Sequence, residues 1–161
     1  MFTLNKQRDQ RGFTIVELLI VIVVIGILAA LVITTYGGIQ AKGRDSQRQS
    51  DIKILHSQIE LFYADHNFYP AVADLNNATW RTANMKGLDI EAMVDPSAAD
   101  GDSDLSSTAA SSTNKNVYGY VATGCSGTAE PDTGSTDQCT GYTLSTYLEA
   151  AKKVETKTAL E

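Results

Sequence analysis

The pattern of apolar and polar positions divides the chain into segments of different character. From Phe13 to Ile33 nearly every side chain is apolar, and Glu17 is the one ionisable side chain in that stretch. A helix over these residues is about 30 Å long, which is the thickness of the hydrocarbon core of a bilayer. The pattern therefore predicts a membrane-spanning helix over residues 13–36.

The helical pattern continues over residues 37–68, but only one face is apolar. Apolar residues recur there three and four positions apart, namely Ile52, Leu55, Ile59 and Phe62. Such spacing predicts an amphipathic helix. It should end before Pro70, because the residue ahead of a proline avoids the helical region. If this helix also bridges the two glycines at its start, a single helix continues from the apolar segment to His66.

The C-terminal region, residues 117–161, predicts a small antiparallel sheet. The segments 117–123 (VYGYVAT) and 142–149 (YTLSTYLE) are rich in β-branched and aromatic residues, which favour strands. The tail 151–161 either adds an edge strand or stays loose, and the sequence leaves both open. The expected fold class is α+β, with a long N-terminal helix packed on this sheet.

Residues 69–116 form the expected connection between the helix and the sheet. Scattered apolar positions up to residue 97 are consistent with one or two short helices. From 98 to 116 the residues are small and polar, so they bury too little apolar surface to offset the entropy of ordering. We expect a surface loop or disorder there.

An alternating acidic pattern occurs within that polar segment. Asp100, Asp102 and Asp104 resemble the start of a calcium-binding loop, in which oxygen ligands alternate along the chain. The later glutamate that such loops use is absent, so a solvated acidic loop is the preferred interpretation. The three aspartates remain weak calcium candidates, and no other metal site is expected.

Charge sets the expected orientation of the apolar segment. Lys6, Arg8 and Arg11 precede it, and the positive-inside rule then favours a cytoplasmic N-terminus, although basic residues after the segment weaken the asymmetry. The net charge of the chain is −6, so a basic nucleic-acid-binding surface is not indicated. No hydrolase, phosphate-loop or zinc-protease motif occurs, and no cofactor is implied.

Small residues recur every four positions along the apolar segment, at Gly26, Ala30, Thr34 and Gly38. A small-xxx-small stripe allows two helices to approach closely. Glycine and alanine are also simply frequent in membrane-spanning helices, so a helix-packing role is one of two open interpretations.

The two cysteines of the chain, Cys125 and Cys139, both lie in the C-terminal region. In an exported protein, a pair at this separation is expected to form a disulfide that closes a short loop. Two cysteines are too few ligands for a zinc site.

The junction RGFTIVELLIV, followed by IGILAALVI, closely resembles the N-terminus of type IV prepilins and type II secretion pseudopilins. The resemblance implies that residues 1–12 are a leader, that a prepilin peptidase cuts after Gly12, and that the new N-terminal Phe13 is methylated. Glu17 takes the place of the family's glutamate. Many members carry a proline where this chain has Thr34, so the helix break that this proline marks in filaments is in doubt here.

The resemblance also implies a pilin-like fold and a role without catalysis. Cleavage leaves a cationic amine on Phe13, and Glu17 is expected to pair with that amine in the same or a neighbouring copy, which fixes the axial register of an assembly. The first hypothesis is therefore a structural subunit of a type IV pilus, polymerised through its N-terminal helix. The alternative is a pseudopilin of a type II secretion or competence system.

The implied partners are further copies of the chain, the prepilin peptidase, a platform protein and an ATPase. Before assembly the chain is expected in the cytoplasmic membrane, and after assembly in an extracellular pilus. Adhesion, twitching motility, DNA uptake and protein export all remain open. A hypothesis of another class is a membrane enzyme or sensor held by an uncleaved signal anchor, since no small-x-small cleavage site follows the apolar segment.

Overall fold

The structure is a computed structural model that describes residues 12–98, 102–127, 134–135 and 137–160, except for the side chain of Thr34. The chain divides into two compact units, one up to Gly38 and one from Ile39 onward. In chain order, its elements are α1 (Ile15–His66), β1 (Tyr69–Pro70), α2 (Val72–Asn76), α3 (Ala78–Asn84), a 3-10 helix (Ile90–Met93), β2 (Gly119–Thr123), β3 (Gln138–Cys139), β4 (Gly141–Leu148) and β5 (Lys153–Thr158).

Helix α1 is continuous through the glycines at 37 and 38. The apolar and the amphipathic segments therefore form one helix, which the sequence had left open. It begins at Ile15 rather than Phe13, because Thr14 occupies the N-cap position. It ends at His66, where Asn67 has a left-handed φ of 60° and donates its amide to the carbonyl of Tyr63 at 2.7 Å. A left-handed residue after the last turn is a common helix stop.

In the first unit, α1 exposes its apolar side chains. Large aliphatic residues throughout this stretch are about half exposed or more, up to 82% for Ile15. Within the described residues, α1 is the one helix long and apolar enough to cross a membrane. The apolar surface therefore needs lipid or other helices to cover it.

The core of the second unit lies on the predicted apolar face of α1. The four predicted positions are each at most 3% exposed: Ile52, Leu55, Ile59 and Phe62. Tyr118, Tyr120 and Leu144 are fully buried in the same core. The amphipathic pattern thus identified the buried face correctly.

Two small antiparallel sheets complete the second unit, which confirms the α+β class. β4 is the central strand between β2 and β5, and β1 pairs with β3. The register places Gly119 opposite Ser145 and Leu148 opposite Lys153. The tail, left open by the sequence, supplies the edge strand β5.

The segment after residue 101 differs from the expected solvated loop. Leu105 and Ala110 are only 3% and 4% exposed. Asn76 holds Leu105 through two hydrogen bonds: the side-chain amide donates to the Leu105 carbonyl at 3.0 Å, and the Leu105 amide donates to Oδ1 at 2.8 Å. A few well-placed contacts therefore order a segment whose composition alone predicts a surface loop.

The predicted disulfide is present, with the sulfurs of Cys125 and Cys139 2.08 Å apart. Cys139 is buried in the core and lies opposite Tyr69 in the pairing of β1 with β3. The bond thus attaches the segment after β2 to β3, which in turn pairs with β1.

Candidate functional site

The predicted processing site lies directly before the long helix. Gly12 and Phe13 are both exposed, and Phe13 retains 85% of its accessible surface. A Cβ placed on Gly12 would meet nothing within 4 Å, so the fold itself does not demand glycine there. The basic leader residues lie outside the described part of the chain. What the structure gives is an accessible Gly–Phe junction at the edge of an apolar helix.

Glu17 forms a reciprocal cap with Thr14 at the start of α1. Its Oε2 accepts hydrogen bonds from the Thr14 amide at 3.1 Å and from the Thr14 hydroxyl at 2.9 Å. In return, the Glu17 amide donates to Thr14 Oγ1 at 3.2 Å. This arrangement is a capping box, which satisfies two backbone amides that have no partner within the helix.

The cap leaves one carboxylate oxygen of Glu17 available. Within the described residues, every hydrogen bond of the Glu17 carboxylate is accepted by Oε2, and none is accepted by Oε1. The carboxylate is therefore fixed in direction by Thr14 and still has acceptor capacity for a cation. The sequence analysis missed this role of Thr14, although threonine followed three residues later by glutamate, ahead of an apolar run, is the capping-box signature.

The stripe of small residues lies along α1 as its spacing predicts. Gly26, Ala30 and Gly38 are exposed, and a Cβ added at Gly26 or Gly38 would meet nothing within 4 Å. Thr34 belongs to the helix, but its side chain is outside the described residues. The close approach of a second helix at this stripe stays a prediction.

The acidic candidates for calcium do not assemble a ligand set in the described residues. Asp102 and Asp104 are exposed, and Asp102 Oδ1 accepts the Asp104 amide at 3.0 Å. Asp100 lies outside the described part. Where residues are described, no group of three or more His, Cys, Asp or Glu side chains is arranged to hold a metal ion.

A buried arginine in α1 organises the second unit. Arg48 is fully buried, and its Nε and Nη2 donate to the two oxygens of Asp95 at 2.7 and 2.9 Å. Nη2 also donates to Glu149 at 2.7 Å, and Nη1 donates to Asp45 at 3.2 Å. The guanidinium thus joins the helix to the segment after the 3-10 helix and to the end of β4.

The carboxylates around Arg48 have further partners. Arg44 donates to Glu149 at 2.6 Å, and this hydrogen bond, followed by that from Arg48, lowers the pKa of Glu149 to about 2 against the opposing effect of burial. Asp45 accepts the backbone amides of Glu149 and Ala150 at 2.7 and 2.9 Å. The helix therefore holds the turn between β4 and β5 by side-chain contacts.

Sequence reasoning treated these arginines only as charges that weaken the membrane asymmetry. Their carboxylate partners Asp95 and Glu149 are 47 and 101 residues from Arg48, so no local spacing reveals the cluster. The network has the character of a structural clamp. One member of the network, Asp45, also lines a surface pocket of about 350 Å³ together with Ala150 and Ala151 of the turn between β4 and β5.

Comparisons with known proteins match the N-terminal part. The profile of the prokaryotic N-terminal methylation motif matches residues 7–33. The chain is 41% identical over 64 residues to the type II secretion system core protein G of Dickeya chrysanthemi, covering 40% of this chain and 42% of that protein. It is 39% identical over 61 residues to the core protein G of Escherichia coli K12, covering 38% and 42%.

A similar match is found to a pilin. The type IV major pilin protein PilA of Myxococcus xanthus is 36% identical over 64 residues, covering 40% of this chain and 29% of that protein. The chain thus spans less than half of the length of the relatives it matches. No solved structure matches the chain at a significant level.

Proposed function

We propose that the chain is a structural subunit of a helical filament and not an enzyme, because it carries the N-terminal methylation motif and is similar to type II secretion pseudopilins and to a type IV pilin. The observation that carries the proposal is the exposed Gly12–Phe13 junction directly before the capped, apolar start of α1. In this proposal, the prepilin peptidase removes residues 1–12 and methylates Phe13.

Glu17 gives the proposed assembly its register. Cleavage creates an ammonium group on Phe13, and the carboxylate that Thr14 holds through Oε2 accepts this group from a neighbouring copy through Oε1. A charge-assisted hydrogen bond of this kind is stronger than a neutral one. In a helix core without water, one unmatched charge on each copy disfavours every axial offset that leaves it unpaired.

The exposed apolar surface of α1 supplies the attraction between copies in the proposed filament. This surface is suited first to the cytoplasmic membrane and then to the helices of other copies. A shallow groove of about 280 Å³ between Leu19, Ile20, Val23 and Val24 offers space for a side chain of a facing helix. The small residues at Gly26, Ala30, Thr34 and Gly38 allow the facing helix to come close.

The type IV pilus is our first candidate for the filament, with a platform protein and an ATPase as assembly partners. A pseudopilin of a type II secretion or competence system is the second candidate, favoured by the relatives that bear the name of core protein G. The methylation motif matches residues 7–33, and both classes of protein share it. Whatever distinguishes a pilin from a pseudopilin in this chain is therefore expected in the C-terminal sheet unit.

Two measurements test the proposal at separate levels. Mass spectrometry of the N-terminus from native membranes should find methylated Phe13, whereas an N-terminus at Met1 contradicts processing and supports a signal-anchored enzyme or sensor. Electron microscopy of sheared surface material, with the chain identified by peptide sequencing, should show long filaments. A chain that is processed but confined to the envelope fraction contradicts the pilus and supports the pseudopilin.

A further inference from the structure

Arg81 in α3 is a buried cation with incomplete pairing. Only 6% of its surface is exposed, and its Nη1 donates to the carbonyl of Leu75. Its Nε has no hydrogen-bond partner, and no carboxylate of the described residues lies within 4.0 Å of the guanidinium. A guanidinium stays charged at every physiological pH, so burial without an anion is unfavourable.

The contrast with Arg48 shows how unusual this is within one small unit. Arg48 is also buried, with none of its surface exposed, and it contacts the carboxylates of Asp95, Glu149 and Asp45. Both side chains carry the same charge, and within the part of the chain that the structure describes only Arg48 has carboxylate counter-charges. The missing anion at Arg81 points to a ligand from outside.

Arg81 lines a surface pocket of about 400 Å³, a volume in the range of small-molecule sites. Its lining combines two cations, a hydroxyl and three apolar side chains, namely Arg81, Lys86, Thr82, Met85, Leu88 and Ile90. Lys86 is exposed and has no ion pair among the described residues. The cations suit an anionic head, and the apolar side chains suit an aliphatic body.

Short local elements hold the pocket in place. Asn77 caps α3 by accepting the amides of Thr79 and Trp80 at 3.0 and 3.2 Å. The amide of Leu88 donates to the carbonyl of Met85 at 3.0 Å, which fixes the turn that carries Lys86. Arg81 and Lys86 therefore lie on backbone segments that local hydrogen bonds hold in place.

We propose that this pocket binds a small organic carboxylate. The carboxylate accepts hydrogen bonds from Arg81 and forms an ion pair with Lys86, while the aliphatic part of the ligand contacts Leu88 and Ile90. This function is independent of filament assembly. It gives the second unit a ligand-binding role that the N-terminal motif does not imply.

The test uses the purified full-length chain in dodecyl maltoside micelles, with hexanoate as the probe. Trp80 is the single tryptophan of the chain and is adjacent to Arg81, so its fluorescence reports on the pocket. Hexanoate should change the fluorescence saturably. Acetate, which lacks the body, and hexanol, which lacks the charge, should bind at least about tenfold more weakly. An equal response to hexanol, or a response that does not saturate, would overturn the proposal.

Matched variants separate the pocket from general charge effects. Arg81→Gln and Lys86→Gln should each raise the Kd of hexanoate, Arg81→Gln by about tenfold or more. Lys115→Gln, at an exposed lysine on the segment 102–116, should leave it unchanged. If Arg81→Gln disturbs folding by circular dichroism, Lys86→Gln decides, since it removes only a surface ammonium. Identical affinity in Lys86→Gln and wild type contradicts the proposal.

A competing occupant is an acidic side chain of a second copy. In that case hexanoate would not bind saturably, and self-association measured by light scattering would fall in Lys86→Gln. That combination refutes the small-carboxylate proposal. Processing at Gly12 and filament formation are read out separately, so their failure leaves this test unaffected.

Discussion

The two parts of α1 complete their interactions in opposite ways. Before Gly38, large apolar side chains are exposed, and Glu17 bonds to Thr14, three residues away. After Ile39, the apolar face is buried in a core, and Arg48 bonds to carboxylates 47 and 101 residues away. In the second part of the helix, residues of the same chain bury the apolar side chains. In the first part, other molecules are needed to cover them.

The difference separates what each charge does. Arg48 sits among fixed partners, so its interactions stabilise the fold of the second unit. Glu17 is held by a local cap, and its second carboxylate oxygen accepts no hydrogen bond within the described residues, so we propose that its further interaction is with another copy during assembly. We therefore expect substitutions in the two parts to affect different measurements.

The largest expected effect is on assembly. Glu17→Gln removes the charge that we propose pairs with the Phe13 amine, so filament yield should fall at least about 100-fold while cleavage at Gly12 continues. Sheared filaments and the mass of the mature N-terminus measure the two outcomes. Glu91→Gln, at an exposed carboxylate of the second unit, should assemble normally. A filament yield for Glu17→Gln equal to wild type would refute the register role.

The next largest effect is on the stability of the second unit. Arg48→Met leaves three carboxylates without their shared cation, and the free energy of unfolding should fall by about 3–5 kcal/mol. Urea unfolding followed by Trp80 fluorescence measures this. The control is Lys53→Met, at an exposed lysine of the same helix, with an expected change within about 0.5 kcal/mol. Similar losses in both variants would show that the clamp contributes little.

Acid should weaken the clamp through Glu149. Its pKa in the folded chain is about 2, below the ordinary 4.5, because Arg44 and Arg48 donate to it. The unfolded chain therefore takes up the proton first, and the stabilisation is full above pH 4.5 and disappears as the pH falls toward 2. Urea midpoints between pH 6 and 3 should fall less steeply in Glu149→Gln than in wild type. Parallel curves would contradict the assignment.

The smallest expected effect concerns the cap at the start of α1. Thr14→Val removes the hydroxyl that bonds Glu17, and amides of the first turn should exchange with solvent about fivefold faster. Thr14→Ser keeps the hydroxyl and should exchange like wild type. Hydrogen exchange of the full chain in micelles, read by mass spectrometry, makes the comparison. Equal rates for valine and serine would show that the capping box is not formed.

Much of the fold follows from periodicity in the sequence. The three- and four-residue spacing of Ile52, Leu55, Ile59 and Phe62 identified the buried face of α1, whereas Pro70 set only an outer limit for its end, which the left-handed Asn67 places at His66. The pattern failed at Leu105, because one leucine in a polar segment gives no periodic signal and its burial depends on Asn76. The Thr14–Glu17 cap was predictable from four consecutive residues.

The sequence by itself determined the elements whose causes are local: the apolar helix, its cap and the amphipathic face. Each depends on side chains within one or two turns, so spacing along the chain carries the information. Only the tertiary structure decided that Arg48 has three carboxylate partners and that Arg81 has none among the described residues. Both are buried arginines, and what distinguishes them is the set of distant residues that folding brings beside each.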